Sequence, residues 1–278
     1  MMKAVSPQSL NKPKATIIIP HYQTIELITL CLRSIRKYTP PTYNVIVVDN
    51  NSQDESLQYL KSVKWINLIQ RKNVENNGSW AHGSALDIGL ENTFTDFFVS
   101  LHSDVIIRDY NWLNRLLAPM EQNKNLVCAG TGKIEEVSFG YKIFKKMGDV
   151  KGLSRFLKNK FTNAPDKMPP PYIRTTCAIY RTAVLKKENL SFLPRKDLGM
   201  TSGQFLYYEL VNRGYQSFFF PVGELKKLIY HISHGTMILN PLLGARKRTI
   251  STGLRRIKKR LHEDWIKNLL EDSTLDYI

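Results

Sequence analysis

Two acidic residues stand at or just beyond the ends of apolar runs that are typical of buried strands. Asp104 follows the run 97–101, and Asp49 follows the run 43–48. An open α/β sheet binds its ligand beyond the carboxyl ends of its strands, so a carboxylate at that place is well positioned for chemistry. One such acid is weak evidence, but two acids after two apolar strands predict a metal-assisted site for a nucleotide.

Asp104 offers the hard carboxylate oxygen that a divalent cation needs when it bridges a diphosphate. His102 lies two residues earlier, on the same side of the strand. The pair could form a mixed oxygen and nitrogen site, which Mn²⁺ tolerates better than Mg²⁺. For His102 taken alone, a hydrogen-bonded place in the core or at its edge is the better explanation, so the residues favour a metal role for Asp104 first.

Three further motifs could bind parts of such a ligand. Asp49 could accept hydrogen bonds from a base N–H or a ribose hydroxyl, although Asp49 and Ser52 could instead cap the next helix. Gly78 follows two asparagines where a helix is predicted to begin, which is either an anion site or an ordinary turn. His231 and His234 could return a metal or phosphate ligand to the site, although such a pair is more often structural.

Strands and helices alternate through the first half of the chain, which predicts a mainly parallel sheet with helices on both faces. The pattern breaks after residue 133, and a long basic and aromatic excursion over the site is predicted to 172. Thr24 and Ser52 are predicted to cap the first two helices. The predicted strands are 16–19, 43–48, 65–69, 97–101, 126–130, 173–180 and 215–220, and the predicted helices are 25–38, 54–63, 79–90, 112–120, 203–212 and the tail from 244.

Composition limits the class of protein. The 278 residues are 42% hydrophobic and carry a formal charge of +16, which suits one large domain with anionic partners, although a solvated basic surface is the commoner reason for charge runs. No apolar run approaches the roughly 20 residues that span a bilayer, and no signal peptide is predicted. Three widely spaced cysteines indicate reduced thiols in the cytosol. The lack of a Gly-x-Gly-x-x-Gly or Walker motif argues against dinucleotide oxidoreductases and P-loop enzymes.

Five segments, in the same order along the chain, resemble the motifs of the family 2 glycosyltransferases of GT-A fold. The resemblance covers residues 15–236. The segments are the first strand with its proline (17–22), the first helix (30–35), the nucleotide-contacting turn (47–54), the helix with an Asn-x-Gly and an Asp-x-Gly (76–89) and the place of the Asp-x-Asp metal motif (101–104). Ordered agreement of five motifs is more specific than any one of them.

The resemblance implies a Rossmann-like α/β fold of the GT-A type over 15–243, with an acceptor-side excursion at 133–172, an N-terminal extension at 1–14 and a basic amphipathic helical tail at 244–278. It implies Mn²⁺ or Mg²⁺ and inverting transfer from a nucleotide-sugar donor to a saccharide or lipid-linked saccharide, in cell-surface polysaccharide or lipopolysaccharide synthesis. By position it implies the donor-binding residues Pro20, His21, Asp49, Asn51, Asn76, Gly78, His82 and Ser103, and the metal ligands Asp104, His102 and His234, with His231 as the alternative to His234.

The chain departs from the family pattern at two places. His102 replaces the first Asp of Asp-x-Asp, which weakens the prediction of a metal. The family places its acceptor base in a Glu-Asp pair before a helix, but the equivalent stretch 197–205 contains no such pair. Asp197 is the nearest acid upstream and is our predicted general base, whereas a strict comparison leaves the base unassigned.

Two other functions stay open. A sugar-phosphate nucleotidyltransferase shares the strand-end acids, but it needs a Gly-rich basic loop after the first strand, where this chain has Pro20 and His21. A non-catalytic basic protein on a degenerate GT-A fold could bind a membrane or nucleic acid. For the transferase we expect no nucleic acid and a cytoplasmic location, with the basic tail either held against the anionic inner face of the cytoplasmic membrane or packed on the domain or a partner subunit.

Overall fold

A central β-sheet organises the protein. The computed structural model describes residues 12–40, 42–72, 74, 78–134, 171–240 and 247–277. Its strands are β1 (Ala15–His21), β2 (Tyr43–Asp49), β3 (Asn67–Gln70), β4 (Phe97–Leu101), β5 (Val105–Ile107), β6 (Leu126–Gly130), β7 (Cys177–Arg181), β8 (Gln216–Phe219) and β9 (Ile229–His231).

Seven of these strands form one sheet in the order β3-β2-β1-β4-β7-β6-β8, while β5 and β9 pair separately. The strands β1 to β4 are parallel, and β7 runs antiparallel to its neighbours β4 and β6. The carboxyl ends of β2 and β4 therefore meet at one edge, which carries Asp49 and the stretch 102–104. Because β7 is reversed, the residues that precede it reach the same edge. The predicted α/β fold with a mainly parallel sheet is confirmed.

Helices cover both faces of the sheet because its central strands are apolar on both sides. Ile17 and Ile19 of β1 pack in one core, and Ile18 between them packs in the other. The helices are α1 (Ile25–Tyr38), α2 (Ser56–Ser62), α3 (Gly78–Glu91), α4 (Trp112–Gln122), α5 (Thr182–Glu188), α6 (Gln204–Asn212), α7 (Val222–Leu228), α8 (Gly235–Leu239), α9 (Lys247–Leu261) and α10 (Asp264–Glu271).

The tail packs on the domain. Ile257 of α9 and Leu269 of α10 are buried in a third apolar cluster with Leu27 of α1. Behind them, the Arg33 guanidinium donates to both carboxylate oxygens of Asp276 at 3.0 and 2.6 Å, and both side chains are buried. The exposed face of α9 carries basic side chains, namely Arg255, Lys258 and Lys259.

Local features differ from the predictions at several places; the strand predicted over 173–180, for example, begins only at Cys177. Thr24 precedes α1 with φ 72°, and its side chain makes no capping hydrogen bond. Ser52 donates its hydroxyl to Asp49, and α2 begins only at Ser56, so the predicted Ser52 cap is wrong. The strand predicted from 65 begins at Asn67, where pairing with Ile46 of β2 starts.

Part of the predicted architecture lies outside the described residues. This applies to Asn76, to 1–11, and to the excursion 133–172 over residues 135–170. Among the described helices, none is both long and apolar enough to cross a bilayer.

Candidate active site

A cavity of about 370 Å³ opens at the carboxyl edge of the sheet. Five of the chain's six histidines line it, which concentrates imidazole nitrogens around a single region. Asp104 supplies the only carboxylate among the described residues that line this cavity. The described lining of the cavity is therefore rich in imidazole and hydroxyl groups and contains a single carboxylate.

Three side chains in this cavity form a cluster that could hold a metal ion. His102, Asp104 and His231 each offer one ligand atom, and these atoms lie within 4.8 Å of one another. Oδ1 of Asp104 is 3.2 Å from Nε2 of His231 and 3.8 Å from Nδ1 of His102. His234 lines the same cavity but is not one of these three residues.

The cluster depends on pairing between β5 and β9. Val105 lies opposite His231 in that pairing, and the N–H of Ile232 donates to the backbone oxygen of Asp104 at 2.9 Å. The N–H of Gly235 donates to Oδ2 of Asp104 at 2.9 Å, which orients the carboxylate. A Cβ at Gly235 would lie 3.1 Å from Cβ of Asp104, so this close approach favours glycine.

The charge state of the cluster suits a cation. Burial alone would raise the pKa of Asp104, but His231, His102 and the N–H of Gly235 together lower this pKa to about 2. Burial lowers the pKa of His102 well below its ordinary value. A carboxylate is therefore ionised beside a neutral His102 imidazole at physiological pH, which is the protonation state that metal ligands need.

The hydrogen bonding around the cluster gives an independent test of whether a metal fits. Oδ1 of Asp104 is buried and has no hydrogen-bond partner of acceptable geometry. A buried ionised oxygen without such a partner is costly unless another group compensates it. Two imidazoles and one carboxylate form a mixed nitrogen and oxygen set that suits Mn²⁺ and similar ions, so the residues fit a divalent metal.

The end of the cavity near β1 and β2 contains several of the predicted donor-binding residues. Pro20 and His21 at the end of β1 line it, as does Gly78 at the start of α3. Asp49 is buried and does not line the cavity, since it accepts from the N–H and hydroxyl of Ser52 at 3.0 and 2.5 Å. Asn51 also does not line it, and its side chain accepts from Gln53.

Sequence reasoning missed Asn50 and Arg71 at this end. Asn50 lines the cavity directly after β2. Arg71, directly after β3, donates to the side chains of Asn50 at 2.6 Å and Ser84 at 2.9 Å and so fixes the Asn50 amide. Arg71 could have been predicted as a site residue because it directly follows a third parallel strand, and the carboxyl ends of β1, β2 and β3 lie at the same edge of the sheet.

The opposite end of the cavity lies before β7 and before α6. His82 and Ser103 both line the cavity, and Nε2 of His82 is 3.1 Å from the hydroxyl of Thr175 at this end. Arg174, which sequence reasoning also missed, lines the cavity next to Thr175. Asp197 does not line the cavity; its carboxylate is exposed and pairs with Arg195 at 2.7 Å.

Comparisons with known proteins place the chain in a family. The teichoic acid poly(glycerol phosphate) polymerase of Staphylococcus epidermidis is 33% identical over 105 residues, which are 35% of this chain and only 14% of that protein's length. The mannosyltransferase PcManGT from Pyrobaculum calidifontis has a similar fold, with a TM-score of 0.52, 12% identity and coverage of 94% of this chain and 74% of its own. Glucosyl-3-phosphoglycerate synthase from Mycobacterium tuberculosis gives a TM-score of 0.49, with 17% identity and coverage of 87% and 78%.

The family assignment itself rests on a longer match. The model of the family described as "Glycosyl transferase family 2" matches residues 16–188, which is more than half of the chain. The match extends from the second residue of β1 to beyond β7 and includes the stretch 102–104. The five sequence segments, the mainly parallel sheet and this match agree. The chain belongs to glycosyl transferase family 2, with the GT-A fold.

Proposed function

We propose that this protein transfers a sugar from a nucleotide-sugar donor to an acceptor hydroxyl, with inversion at the anomeric carbon. The main evidence for this proposal is Oδ1 of Asp104, which is buried near the imidazoles of His102 and His231 and has no well-aligned hydrogen bond. Family membership supports sugar transfer. If donor and acceptor both lie in this cavity, an inverting displacement is the simplest reaction between them.

The donor would lie along the carboxyl edge of the sheet. Its nucleoside would occupy the end near Pro20, His21 and Asn50, and its diphosphate would reach the metal cluster. Asp104, His102 and His231 would hold the ion, with His234 beside them; Asn76 and Asn51 remain candidate donor contacts. Mn²⁺ or Mg²⁺ bound there would neutralise the negative charge that develops on the leaving diphosphate. The mannosyltransferase of similar fold is described with GDP-Man and Mn²⁺, which supports this arrangement.

The acceptor would enter from the end before β7. Its hydroxyl attacks the anomeric carbon, the bond to the diphosphate breaks, and a base takes the hydroxyl proton. Asp197 remains our candidate for that base, and its exposed ion pair with Arg195 would have to open first. For Asp197→Asn we expect transfer to slow about 10²–10⁴-fold with little change in donor affinity, measured by steady-state kinetics and calorimetry. An unchanged rate would mean that Asp197 is not the base and that another residue takes the proton.

The proposed class of acceptor is based on a relative that matches only part of this chain. We propose a saccharide or lipid-linked saccharide of the cell surface, because a segment of the chain is related to a teichoic acid polymerase. The exposed basic side chains of α9 support a cytoplasmic enzyme that is held on the anionic inner face of the membrane.

A non-catalytic binding protein is the second candidate. Asp104 is the only acid among the described cavity residues, and the charge of +16 suits an electrostatic binder. Steep salt dependence without selectivity for any sugar nucleotide would favour this candidate.

Product analysis tests the proposal. The protein is incubated with Mn²⁺ and UDP-, GDP- or dTDP-sugars, with water as the acceptor hydroxyl, and NMR follows the release of nucleoside diphosphate and the anomeric configuration of the sugar when it is first released. We expect one donor class to react with inversion, and Asp104→Asn to lose at least about 100-fold in rate. His262→Ala, at an exposed histidine outside the cavity, is the matched control. Retention at the anomeric carbon, or an active Asp104→Asn, would contradict the proposal.

A further inference from the structure

Arg174 is the only Arg or Lys among the described residues that line the cavity. It lies at the end that we propose for the acceptor. In the sheet, β4 stands between β1 and β7, so the stretch 102–104 after β4 lies between the residues after β1 and the residues before β7. Arg174 is in that last group and lines the cavity. Its position is therefore on the acceptor side of the cluster, away from Pro20 and Asn50.

The backbone around Arg174 is firmly anchored. Ile173 is fully buried, and a Cβ at Gly130 would lie 2.6 Å from Cγ2 of Ile173, so the segment before β7 packs closely on the end of β6. The N–H of Arg174 donates to the backbone oxygen of Thr131 at 2.9 Å. The guanidinium carbon lies 5.1 Å from the centre of the Tyr172 ring, which supports the side chain on one side.

The described residues that line the cavity before β7 and before α6 carry hydroxyl groups and no acid, and Arg174 is close enough to His102 for the two side chains to interact electrostatically. The cavity residues at this end are Tyr172, Thr175, Thr176, Thr201 and Ser202, all with hydroxyl groups. Asp104, the only acid among the described cavity residues, is already faced by two imidazoles. No ion pair joins Arg174 to an acid in the described parts of the chain. A half-buried guanidinium without a carboxylate, beside hydroxyl donors, is suited to a phosphate.

We propose that Arg174 binds a phosphate group carried by the acceptor, so that the acceptor is a phosphorylated polyol or saccharide. This proposal rests on the proposed function, because the donor defines which end of the cavity is left. During transfer the acceptor hydroxyl forms the new bond to the anomeric carbon, its proton goes to the base, and the nucleoside diphosphate leaves with the bonding electrons. The acceptor phosphate is not changed; it only orients the hydroxyl.

Calorimetry with a small phosphorylated polyol tests this role. Glycerol 3-phosphate is titrated into the protein saturated with Mn²⁺ and the nucleoside diphosphate that it binds, so that the donor's phosphate subsite is already filled. A phosphodiester of glycerol is the second probe, and glycerol is the uncharged control. The variants are Arg174→Gln and, as matched control, Arg213→Gln, whose arginine pairs with Glu188 outside the cavity.

We expect saturable binding of at least one phosphate probe by the wild type and Arg213→Gln, with affinity at least about tenfold lower in Arg174→Gln. Nucleotide binding should be the same in all three proteins, which also shows that the variant is folded. Phosphate binding only when nucleotide is absent would assign Arg174 to the donor diphosphate and overturn the proposal. Failure of both probes to bind the nucleotide-loaded protein would also overturn it, while leaving the donor site intact. Failure of the nucleotides themselves would instead contradict the proposed function.

Discussion

At the scale of single residues, His102 is the member of the proposed metal site, formed by His102, Asp104 and His231, that departs from the family motif. It provides a nitrogen donor 3.8 Å from Oδ1 of Asp104, where the family motif has a carboxylate. Mg²⁺ strongly prefers oxygen ligands, whereas Mn²⁺ accepts imidazole. Replacing His102 should therefore change the affinity of the site for Mg²⁺ relative to its affinity for Mn²⁺.

For His102→Asp we expect the affinity for Mg²⁺ to rise relative to that for Mn²⁺ by about tenfold, because one imidazole becomes a hard oxygen ligand. Calorimetric titration of both ions measures the ratio without any need for activity. His262→Asp adds the same charge at an exposed histidine and should leave the ratio unchanged. An unchanged ratio in His102→Asp would place His102 outside the coordination sphere.

A second residue, His21, makes stability depend on pH. It is 1% exposed, and burial lowers its pKa from 6.5 to about 4. The unfolded chain therefore binds a proton at this residue at a higher pH than the folded chain does, so stability is lost as pH falls from about 6.5 toward 4. This residue alone accounts for at most about 3 kcal/mol of that loss.

The expected result is a flatter pH profile for His21→Gln. Urea unfolding without metal at pH 7, 6, 5 and 4.5 measures the free energy of unfolding, and His262→Gln serves as the control at an exposed histidine. Parallel profiles for wild type and His21→Gln would mean that His21 is not the neutral, buried group described above.

At the scale of elements, the strand pair β5 and β9 brings the third cluster residue to the site. The two strands are three residues each and are more than 120 positions apart in sequence, yet they place His231 opposite Val105. The turn after β9 then directs the Gly235 N–H to Asp104. This element therefore couples a distant part of the chain to the metal cluster.

We expect Gly235→Ala to weaken Mn²⁺ binding and to lower the free energy of unfolding by about 1 kcal/mol, because the new Cβ would lie 2.6 Å from Leu27 and 3.1 Å from Asp104. The matched control is Gly223→Ala, where an added Cβ meets nothing within 4 Å. Calorimetry and urea unfolding measure the two effects. Equal behaviour of the two variants would show that the close approach at Gly235 is not needed.

The same elements explain which parts of the site could be predicted. The apolar strand β2 ends in Asp49, and Asp104 follows the apolar strand β4 by three residues, so the position of Asp104 could be predicted from local sequence alone. His231 entered only as an alternative to His234, because its position depends on a short, long-range strand pair that leaves no periodic signal. Arg174 precedes the reversed strand β7, and nothing local indicates that such a strand start meets the other strand ends. Asp197 was the nearest acid in sequence, but its carboxylate pairs with Arg195 instead of lining the cavity.

At the scale of the whole molecule, the tail is part of the packed structure. Asp276 accepts from Arg33 and from the Tyr59 hydroxyl, so the end of the described chain is joined to α1 and α2. The apolar side of α9 faces the domain while Arg255, Lys258 and Lys259 face outward. The fold therefore fixes the orientation of the basic surface relative to the cavity.

Removing the acid from this buried pair should destabilise the protein. For Asp276→Asn we expect a loss of about 3 kcal/mol in the free energy of unfolding, since the Arg33 charge stays buried without its partner. Urea unfolding measures it, with Glu271→Gln at an exposed position on α10 as the control. A loss no larger than in the control would mean that the tail does not depend on this pair.

The most direct test of the whole account is calorimetric titration of the sugar nucleotides with and without Mn²⁺, on wild type and Asp104→Asn. We expect saturable binding of one nucleotide class that requires Mn²⁺ in the wild type and is lost in Asp104→Asn, because that carboxylate would hold the ion together with His102 and His231. Binding that is equally tight without Mn²⁺, or equally tight in Asp104→Asn, would contradict it.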